Sequence, residues 1–175
     1  MLQQSFPILT TERLLLRQLH LTDDKATFAL RSNAQVNAYI KRPLANDIND
    51  ARHFITSINE GIAKGEWLYW AMILKNTKHL IGTICLWHFS DNNTMAEIGY
   101  ELHPDHQGLG LMSEALKTVI DYSFSTLQLE AIEAYTQPDN TKSVSLLEKN
   151  DFIRDLKSSN YNTSREVRFV LSKLT

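Results

Sequence analysis

Three consecutive strand-like runs between residues 67 and 103 constrain the fold more than any other feature of this sequence. The runs are WLYWAMIL (67–74), HLIGTICLWHF (79–89) and TMAEIGYELH (94–103), and all are rich in β-branched and aromatic residues. The segments between them, KNTK and SDNN, are short, polar and suited to turns. The sequence therefore predicts an antiparallel meander of three strands, against which the remaining segments must pack.

The segments on either side of the meander show strand and helix patterns in turn. In chain order the sequence predicts a strand at RLLLRQL (13–19), a helix from Thr22 to about Ser32, a helix from about Asp50 to Lys64, the meander, a helix from about 110 to 125, a strand at 129–136, a helix at 141–149, and two strands, from Phe152 onward and at 165–173. The order is β-α-α-β-β-β-α-β-α-β-β, an α/β arrangement in which helices pack on a mixed sheet of seven strands. The unit at 94–136 predicts a parallel crossover, and the lack of a flexible linker predicts a single domain, 1–175.

The composition excludes several classes of protein. A formal net charge of -2 gives no general attraction for nucleic acid or an anionic membrane, so neither is an expected partner. Cys85 is the only cysteine, which excludes an internal disulfide and a cysteine-rich zinc site, and its apolar neighbours predict a buried, inert thiol. No apolar run reaches the roughly 20 residues of a membrane span, and the N-terminus lacks the pattern of a signal peptide. We therefore expect a cytoplasmic protein.

The stretch HPDHQGLGLMSEAL (103–116) contains two histidines that resemble the beginning of a metal site. His103 and His106 flank Pro104, however, so they do not share a helix face. A metal site needs three or four ligands, and no further cluster of His, Cys or carboxylate residues has a recognisable spacing. We expect two solvated loop histidines and no metal.

The glycines of the same stretch favour a phosphate site. Gly108 and Gly110 follow a strand and precede a helix, where unpaired backbone N–H groups and the helix dipole attract anions. Ser113 adds a hydroxyl in the first helical turn. The sequence lacks GxxxxGK[ST] and a complete GxGxxG, and the loop follows the fourth strand, so the pattern speaks against a nucleoside-triphosphate or NAD domain.

Two longer segments resemble a known family. The run AEIGYELHPDHQGLGLMSEAL, followed by QPDNTKSVSLLEKNDF, is similar to the GNAT acyltransferases, and specifically to the RimJ/RimL-type N-acetyltransferases. The family's pyrophosphate signature, Gln/Arg-x-x-Gly-x-Gly/Ala, falls on Gln107, Gly110 and Met112, where the methionine departs from the small residue of the signature. The opening TERLLLRQLHLTDDKATFAL and the element order match the same family. The resemblance implies a mixed, mostly antiparallel GNAT sheet with helices on both faces.

The resemblance also implies acetyl-CoA as the cosubstrate, without a metal. Its pyrophosphate would lie on the backbone N–H groups of one continuous segment, which consists of Gln107, Gly108, Leu109, Gly110, Leu111, Met112 and Ser113. The pantetheine arm would lie between the fourth and fifth strands, which splay apart in this fold, and would pair with main-chain groups of Leu102 and His103. Asn140 belongs to the Asn-x-x-Ser pattern of RimJ/RimL-type sequences and would hydrogen-bond the pantetheine.

Two residues are candidates for the transfer chemistry, which needs a base for the amine and a donor for the leaving thiolate. Glu97 matches the glutamate that serves as the general base in several GNAT enzymes. The alternative is a solvent-facing or ion-paired surface glutamate, and Glu101 is the second choice for the base. The usual acidic tyrosine is missing, since Leu147 occupies its position. Ser143 could instead hydrogen-bond or protonate the leaving sulfur, or could serve only in capping its helix.

These residues predict an N-acetyltransferase that acts on a primary amine in a ternary complex. The leading acceptor is the N-terminal α-amine of a protein or peptide, such as a ribosomal protein. The alternatives are a small-molecule amine (a polyamine, an antibiotic or an amino acid) and a non-catalytic acetyl-CoA-binding module. We expect the acceptor pocket near residues 33–50 and 155–165, where no motif identifies the amine. Dimers are common in this family, so the resemblance also allows a homodimer.

Overall fold

The computed structural model describes residues 6–155 and 166–173, and within these ranges the chain forms eight strands and four α-helices. The strands are β1 (Leu9–Thr10), β2 (Leu14–Arg17), β3 (Leu68–Leu74), β4 (His79–Trp87), β5 (Met95–Leu102), β6 (Ala131–Thr136), β7 (Ile153–Arg154) and β8 (Val167–Ser172). The helices are α1 (Asp24–Ser32), α2 (Ile48–Lys64), α3 (Leu111–Ser125) and α4 (Thr141–Lys149). Apart from β1, these elements follow the predicted order.

All eight strands join one mixed sheet in the order β1-β2-β3-β4-β5-β6-β8-β7. The pairings are antiparallel except that of β5 with β6, which is parallel, as predicted for the unit at 94–136. The predicted meander is confirmed as β3, β4 and β5. The sheet has eight strands rather than the predicted seven because β1 adds a short edge strand, in which Leu9 pairs with Leu16. A strand of this length is too short to show the alternation from which strands are predicted.

Helices cover both faces of the sheet, and the side chains of each central strand alternate between two cores. Helices α3 and α4 cover one face, where Trp70 and Met72 of β3 join the larger core. Helices α1 and α2 cover the other face, where Tyr69 and Ala71 join the smaller core. Because the central strands are buried on both faces, their sequences read as nearly continuous apolar runs. Burying one large apolar side chain stabilises the fold by roughly 1.5–3 kcal/mol.

Local signals set the limits of helix α2. The Asp47 carboxylate caps the helix by accepting hydrogen bonds from the N–H groups of Asn49 and Asp50. Gly65 follows in the left-handed conformation, with φ 75°, and the helix ends at Lys64, as the sequence predicts. The cap also fixes where the connection between α1 and α2 ends. Among the helices of the described ranges, none has both the length and the apolar character that crossing a bilayer requires.

Cys85 lies in the middle of β4 and is buried, as its apolar neighbours predict. Its side chain packs in the smaller core, and its sulfur lies beneath Gly99 of β5. Burial raises the pKa of the Cys85 thiol to about 12, so the thiol stays protonated at neutral pH.

Strands β5 and β6 separate along their length, as the family resemblance implies. Their parallel pairing covers only Met95–Glu97 and Ala131–Glu133, after which β5 continues to Leu102 and β6 to Thr136. The gap therefore opens at the C-terminal ends of two parallel strands, close to the beginnings of α3 and α4. Ligands of α/β proteins commonly bind at such strand ends.

Candidate functional site

The gap between β5 and β6 widens into a cavity of ≈ 1140 Å³. Its walls come from the ends of both strands, the beginnings of α3 and α4, and the connection between α1 and α2 (residues 33–47). Sites for small molecules commonly measure about 300–1,000 Å³. This cavity is therefore large enough for an extended ligand.

The N-terminus of α3 forms one wall of the cavity and provides an anion site. Gly110 is the N-cap of α3 and has φ 74°, a left-handed conformation that glycine adopts without strain. The backbone N–H groups of Leu111, Met112 and Ser113, in the first turn, have no acceptor within the helix. These donors and the helix dipole attract negative charge, and the Lys142 side chain lines the same cavity.

Arg13, just before β2, holds the loop that leads into α3. Its Nη1 donates a hydrogen bond to the Leu109 carbonyl oxygen at 2.9 Å, and its Nε forms an ion pair with Glu114 at 2.7 Å. The Thr11 hydroxyl donates to the same carboxylate. Burial favours a higher pKa for Glu114, but the hydrogen bonds from Thr11 and Arg13 outweigh it and lower that pKa. The carboxylate stays charged, so the loop is held in place without a ligand.

Gln107 ties the same loop to the end of β5 and to α4. Its Nε2 donates to the Leu102 carbonyl oxygen at 3.0 Å, and its Oε1 accepts from Lys142 Nζ at 2.9 Å. The N–H of His103 donates to the carbonyl oxygen of Ile81 on β4 at 2.8 Å. Two of the main-chain groups in the segment that was expected to pair with the pantetheine, the Leu102 carbonyl and the His103 N–H, thus already have partners within the protein.

A pair of hydroxyl groups joins β5 to α4 on the cavity wall. Asn140 is the N-cap of α4, and its side chain accepts from the N–H of Ser143 at 3.3 Å. The Ser143 hydroxyl lies 2.8 Å from the Tyr100 hydroxyl, and both residues line the cavity. Burial raises the pKa of Tyr100 to about 12, so its phenol is neutral at physiological pH.

Glu97 lies at the point where β5 and β6 stop pairing, beside a second cavity of ≈ 350 Å³. Tyr135 lines both cavities, so the two adjoin. With Nδ1 protonated, His88 donates to the Glu97 carboxylate at 2.8 Å. His88 has φ 46°, which is uncommon for a residue with a side chain, and its ring stacks on Trp87. This position of Glu97 fits a general base beside the gap between β5 and β6. The contact with His88 also fits the alternative, a paired surface glutamate.

Glu101, the second choice for the base, is buried on the same side of β5. Its carboxylate forms an ion pair with Arg42 at 2.5 Å and accepts from the Thr83 hydroxyl at 3.3 Å. Arg42 belongs to the α1–α2 connection and also donates to Asn37 at 2.6 Å. The paired Glu101 therefore fastens this connection to the sheet, and both of its carboxylate oxygens already have partners, in Arg42 and Thr83.

Of the two histidines in the 103–116 stretch, His103 immediately precedes a single 3₁₀ turn, Pro104–His106, and His106 is the last residue of that turn. Their ring centroids are 6.2 Å apart, and His103 Nδ1 accepts from the N–H of Asp105 at 3.4 Å. Nowhere in residues 6–155 and 166–173 do three His, Cys, Asp or Glu side chains gather as a metal ion would require. His106 lines the cavity.

Comparison with known proteins identifies the family. The acetyltransferase (GNAT) domain family matches residues 13–153, from just before β2 to the first residue of β7. The chain belongs to the GNAT acetyltransferase family. This GNAT protein is 37% identical over 147 residues to the uncharacterised N-acetyltransferase p20 of Bacillus licheniformis, a match that covers 84% of this chain and 83% of that protein.

Two further comparisons involve ribosomal-protein acetyltransferases. The GNAT chain is 28% identical over 162 residues to the ribosomal protein uS5-alanine N-acetyltransferase of Escherichia coli K12, with coverage of 87% and 81%. The solved structure of RimL, a ribosomal L7/L12 alpha-N-protein acetyltransferase in complex with coenzyme A, matches with a TM-score of 0.80. That match covers 95% of this chain and 98% of the other at 18% identity, so it shows the fold alone.

Most site residues predicted from the GNAT resemblance line the larger cavity. They are Leu102, Gln107, Gly108, Gly110, Leu111, Met112, Ser113, Asn140 and Ser143. Among the described residues that line this cavity, His103 and Leu109 are absent. Glu97 lines the adjoining cavity instead. The Met112 side chain packs into the larger core, so the loop accommodates methionine where the family signature has a small residue. Of the predicted acceptor segment 155–165, all but Asp155 lies outside the described residues.

Four contributors to the GNAT site were not predicted, namely Arg13, His88, Tyr100 and Lys142. Each contacts a predicted site residue that is distant in the sequence or lies across a turn. The alternation along β5 is one signal that could have identified Tyr100, because it places this side chain on the same face as Leu102. Arg13 lies within the TERLLL run that carried part of the resemblance, but its contact with the loop requires the fold.

Proposed function

We propose that this GNAT protein transfers the acetyl group of acetyl-CoA to a primary amine, and that the amine is the N-terminal α-amine of a protein or peptide. The supporting observation is the cavity, which includes both the N-terminus of α3 and the Tyr100–Ser143 hydroxyl pair. An anion site and a hydroxyl pair within one extended cavity suit a ligand that carries both phosphates and a thioester.

The cavity residues fit acetyl-CoA part by part. The pyrophosphate would accept hydrogen bonds from the first turn of α3 and would lie near Lys142. The pantetheine would occupy the gap between β5 and β6 as an added strand. Because the Leu102 carbonyl and the His103 N–H have protein partners, it would pair with β5 further toward Tyr100. Asn140 uses Oδ1 to cap α4, which leaves its Nδ2 as the donor toward the pantetheine.

Glu97 is the proposed general base for the acceptor amine. Its carboxylate would accept the amine proton directly or through a water molecule, and the amine would then attack the acetyl carbonyl carbon. His88 donates to this carboxylate, and 72% of its side chain is exposed to solvent. His88 therefore orients Glu97 and offers the accepted proton a route to water.

Ser143 is the proposed donor to the leaving sulfur. As the carbon–sulfur bond breaks, negative charge collects on sulfur, and a hydroxyl that donates to it lowers the barrier. Ser143 lies in the first turn of α4, where the helix dipole also favours negative charge. The thiolate ultimately gains one proton, which balances the proton that the amine gives up to Glu97.

Proton energetics favour an N-terminal acceptor. An α-amino group has a pKa of about 7.7–8.0, whereas a lysine amine has a pKa of about 10.4. At pH 7, neutralising lysine therefore costs about 4.6 kcal/mol, against roughly 1.2 kcal/mol for the α-amine. Glu97 is a single carboxylate that is already hydrogen-bonded to His88, and it suits the deprotonation of an α-amine better than that of a lysine. The E. coli relative is named as an alanine N-acetyltransferase of a ribosomal protein, which supports the same class of acceptor.

We expect peptides with a free N-terminus and no lysine to release CoA faster than N-blocked peptides that carry lysine. At pH 7 roughly a tenth of the α-amine is neutral, but only about one lysine in two thousand. The measurement is initial CoA release with both peptide sets, and polyamines, aminoglycosides and free amino acids serve as comparison acceptors. A preference for the blocked lysine peptides, or for a small-molecule amine over every peptide, would contradict the proposed acceptor.

We expect Arg13→Gln to weaken acetyl-CoA binding about tenfold, because the loop that leads into α3 loses the charge-assisted hydrogen bond from Arg13 to the Leu109 carbonyl. Isothermal titration calorimetry measures the affinity, and thermal unfolding shows how much of the protein remains folded. Arg17→Gln is the matched control, since Arg17 lies on β2 and loses an ion pair of the same 2.7 Å length, to Asp23. Equal weakening in both variants would mean that Arg13 acts through general stability.

A further inference from the structure

Tyr100 is a half-buried residue of the cavity wall, and the proposed transfer chemistry has so far given it no role. Its side chain extends from β5 on the face that carries α3 and α4, and its hydroxyl lies 2.8 Å from the Ser143 hydroxyl. The Tyr100 hydroxyl therefore contacts Ser143, the proposed donor to the leaving sulfur, and Tyr100 also lines the cavity. A buried tyrosine hydroxyl usually has a partner. Here the partner is the group that would face the leaving thiolate.

The chemistry of the two hydroxyls decides which of them donates. Each hydroxyl carries one proton, so a hydrogen bond between them uses one proton and leaves the other free. A phenol is a stronger acid than an aliphatic alcohol, so Tyr100 is the better donor and Ser143 the better acceptor. Burial raises the pKa of Tyr100 to about 12, so this donor keeps its proton at physiological pH. The proton that remains free is then the one on Ser143.

The backbone of Ser143 is fixed as well. Its N–H donates to the Asn140 side chain, which holds the first turn of α4 in place beside the cavity. When its oxygen accepts from Tyr100, the serine turns its own O–H away from the tyrosine, while the Asn140 cap holds its backbone at the cavity wall. Both residues line the cavity, so that direction includes the space in which a bound thioester would lie.

We propose that Tyr100 is a positioning residue, which donates to Ser143 and so directs the Ser143 proton at the sulfur of the leaving coenzyme. This inference rests on the proposed function, because it assigns Tyr100 a part in the same transfer. In the transfer the amine nitrogen bonds to the acetyl carbon, the carbon–sulfur bond breaks, and its electron pair goes to sulfur. Ser143 stabilises that charge through a hydrogen bond, and the amine proton leaves through Glu97. The Tyr100 hydroxyl takes no part in the bond changes and keeps its proton throughout.

The test is a double-mutant cycle of Tyr100→Phe and Ser143→Ala, with kcat and the KM for acetyl-CoA measured for each variant. We expect Tyr100→Phe to lower kcat about tenfold, the effect of losing one orienting hydrogen bond, with the KM changed by less than about threefold. In the Ser143→Ala background, Tyr100→Phe should have no further effect on kcat, because the group that it orients is gone. Tyr122→Phe is the matched control, since Tyr122 packs against Trp70 in the core and should keep wild-type kcat.

Three outcomes would overturn the inference. The first is wild-type kcat in Tyr100→Phe, and the second is a full additional loss when Tyr100→Phe is combined with Ser143→Ala. The third is a loss that appears in the KM for acetyl-CoA while kcat is unchanged, which would make Tyr100 a structural link between β5 and α4. Thermal unfolding of each variant shows that the rates belong to folded protein.

A second measurement separates this inference from the proposed function. Free CoA is bound to the wild type and to Tyr100→Phe, and its thiol is titrated through the ultraviolet absorbance of the thiolate. If Ser143 points at sulfur, the wild type should lower the pKa of the bound thiol relative to free CoA, and Tyr100→Phe should reverse most of that shift. If no amine supports transfer, the proposed function is wrong, and this titration still decides the role of Tyr100. Identical titrations in both proteins, or the absence of CoA binding, would overturn the inference.

Discussion

Replacing Gly110 with aspartate should abolish measurable binding of acetyl-CoA while leaving a folded protein. Gly110 is the N-cap of α3, has φ 74° and lines the cavity beside the proposed pyrophosphate site. A carboxylate about 4 Å from the pyrophosphate would cost about 4 kcal/mol for each pair of unit charges near a protein surface, roughly a thousandfold in affinity. The Arg13 Nη2 atom lies 3.6 Å from the position of the new Cβ, so the aspartate would also compete for the arginine that holds the loop.

The measurement is calorimetric titration with acetyl-CoA, supported by the rise in melting temperature that a ligand of the folded state produces. Gly65→Asp is a close control, because Gly65 has φ 75° and no atom lies within 4 Å of its added Cβ. It imposes the same backbone strain, about 1–2 kcal/mol, at the end of α2. We expect the control to lose stability and to bind acetyl-CoA normally. Normal affinity in a folded Gly110→Asp protein would remove the phosphate site from the proposal.

Replacing Glu97 with glutamine should lower kcat/KM for an N-terminal acceptor by about 10²–10⁴-fold at neutral pH, the usual contribution of a general base. The substitution keeps the shape of the side chain and a hydrogen bond to His88, but it removes the carboxylate that would accept the proton. The difference in kcat/KM between Glu97→Gln and the wild type should become smaller as the pH rises through the α-amine pKa of about 7.7–8.0, because the amine then loses its proton without a base. The measurement is the pH profile of kcat/KM for both proteins.

Glu130→Gln is the control for charge, because Glu130 is exposed just before β6 and its removal changes the net charge equally. The affinity for acetyl-CoA should stay within a few-fold of wild type in both variants, since neither residue lines the larger cavity. Wild-type rates in Glu97→Gln across the whole pH range would make Glu97 the paired surface residue that was the alternative.

Much of the fold could be predicted because its signals are local. Asp47 and Gly65 limit α2 through contacts with their immediate neighbours, and helix α4 runs over the residues that its spacing predicts. The loop around Gly110 was also recognisable, since a glycine between a strand and a helix acts within a few residues. These features depend on backbone conformation and on nearest neighbours, both of which a short window of sequence contains.

The side-chain contacts of the site could not be predicted in the same way. Arg13 reaches the Leu109 carbonyl across the fold, and Tyr100 meets Ser143 only because β5 and α4 pack side by side. The contact between His88 and Glu97 depends on a left-handed residue at the end of β4, and the sequence has no glycine there to signal it. Such contacts depend on register and packing, which no local pattern of residue types contains.

The buried position of Cys85 determines how this protein can be assayed. The side chain is 5% exposed, and burial raises its pKa to about 12, so at neutral pH it is a poor nucleophile toward disulfide reagents. It is the single cysteine of the chain. A thiol-detecting reagent added to the native protein should therefore report CoA alone, with no protein background to subtract. Denaturing the protein should then release one additional reactive thiol per chain, which supplies an internal measure of the enzyme concentration in the same cuvette.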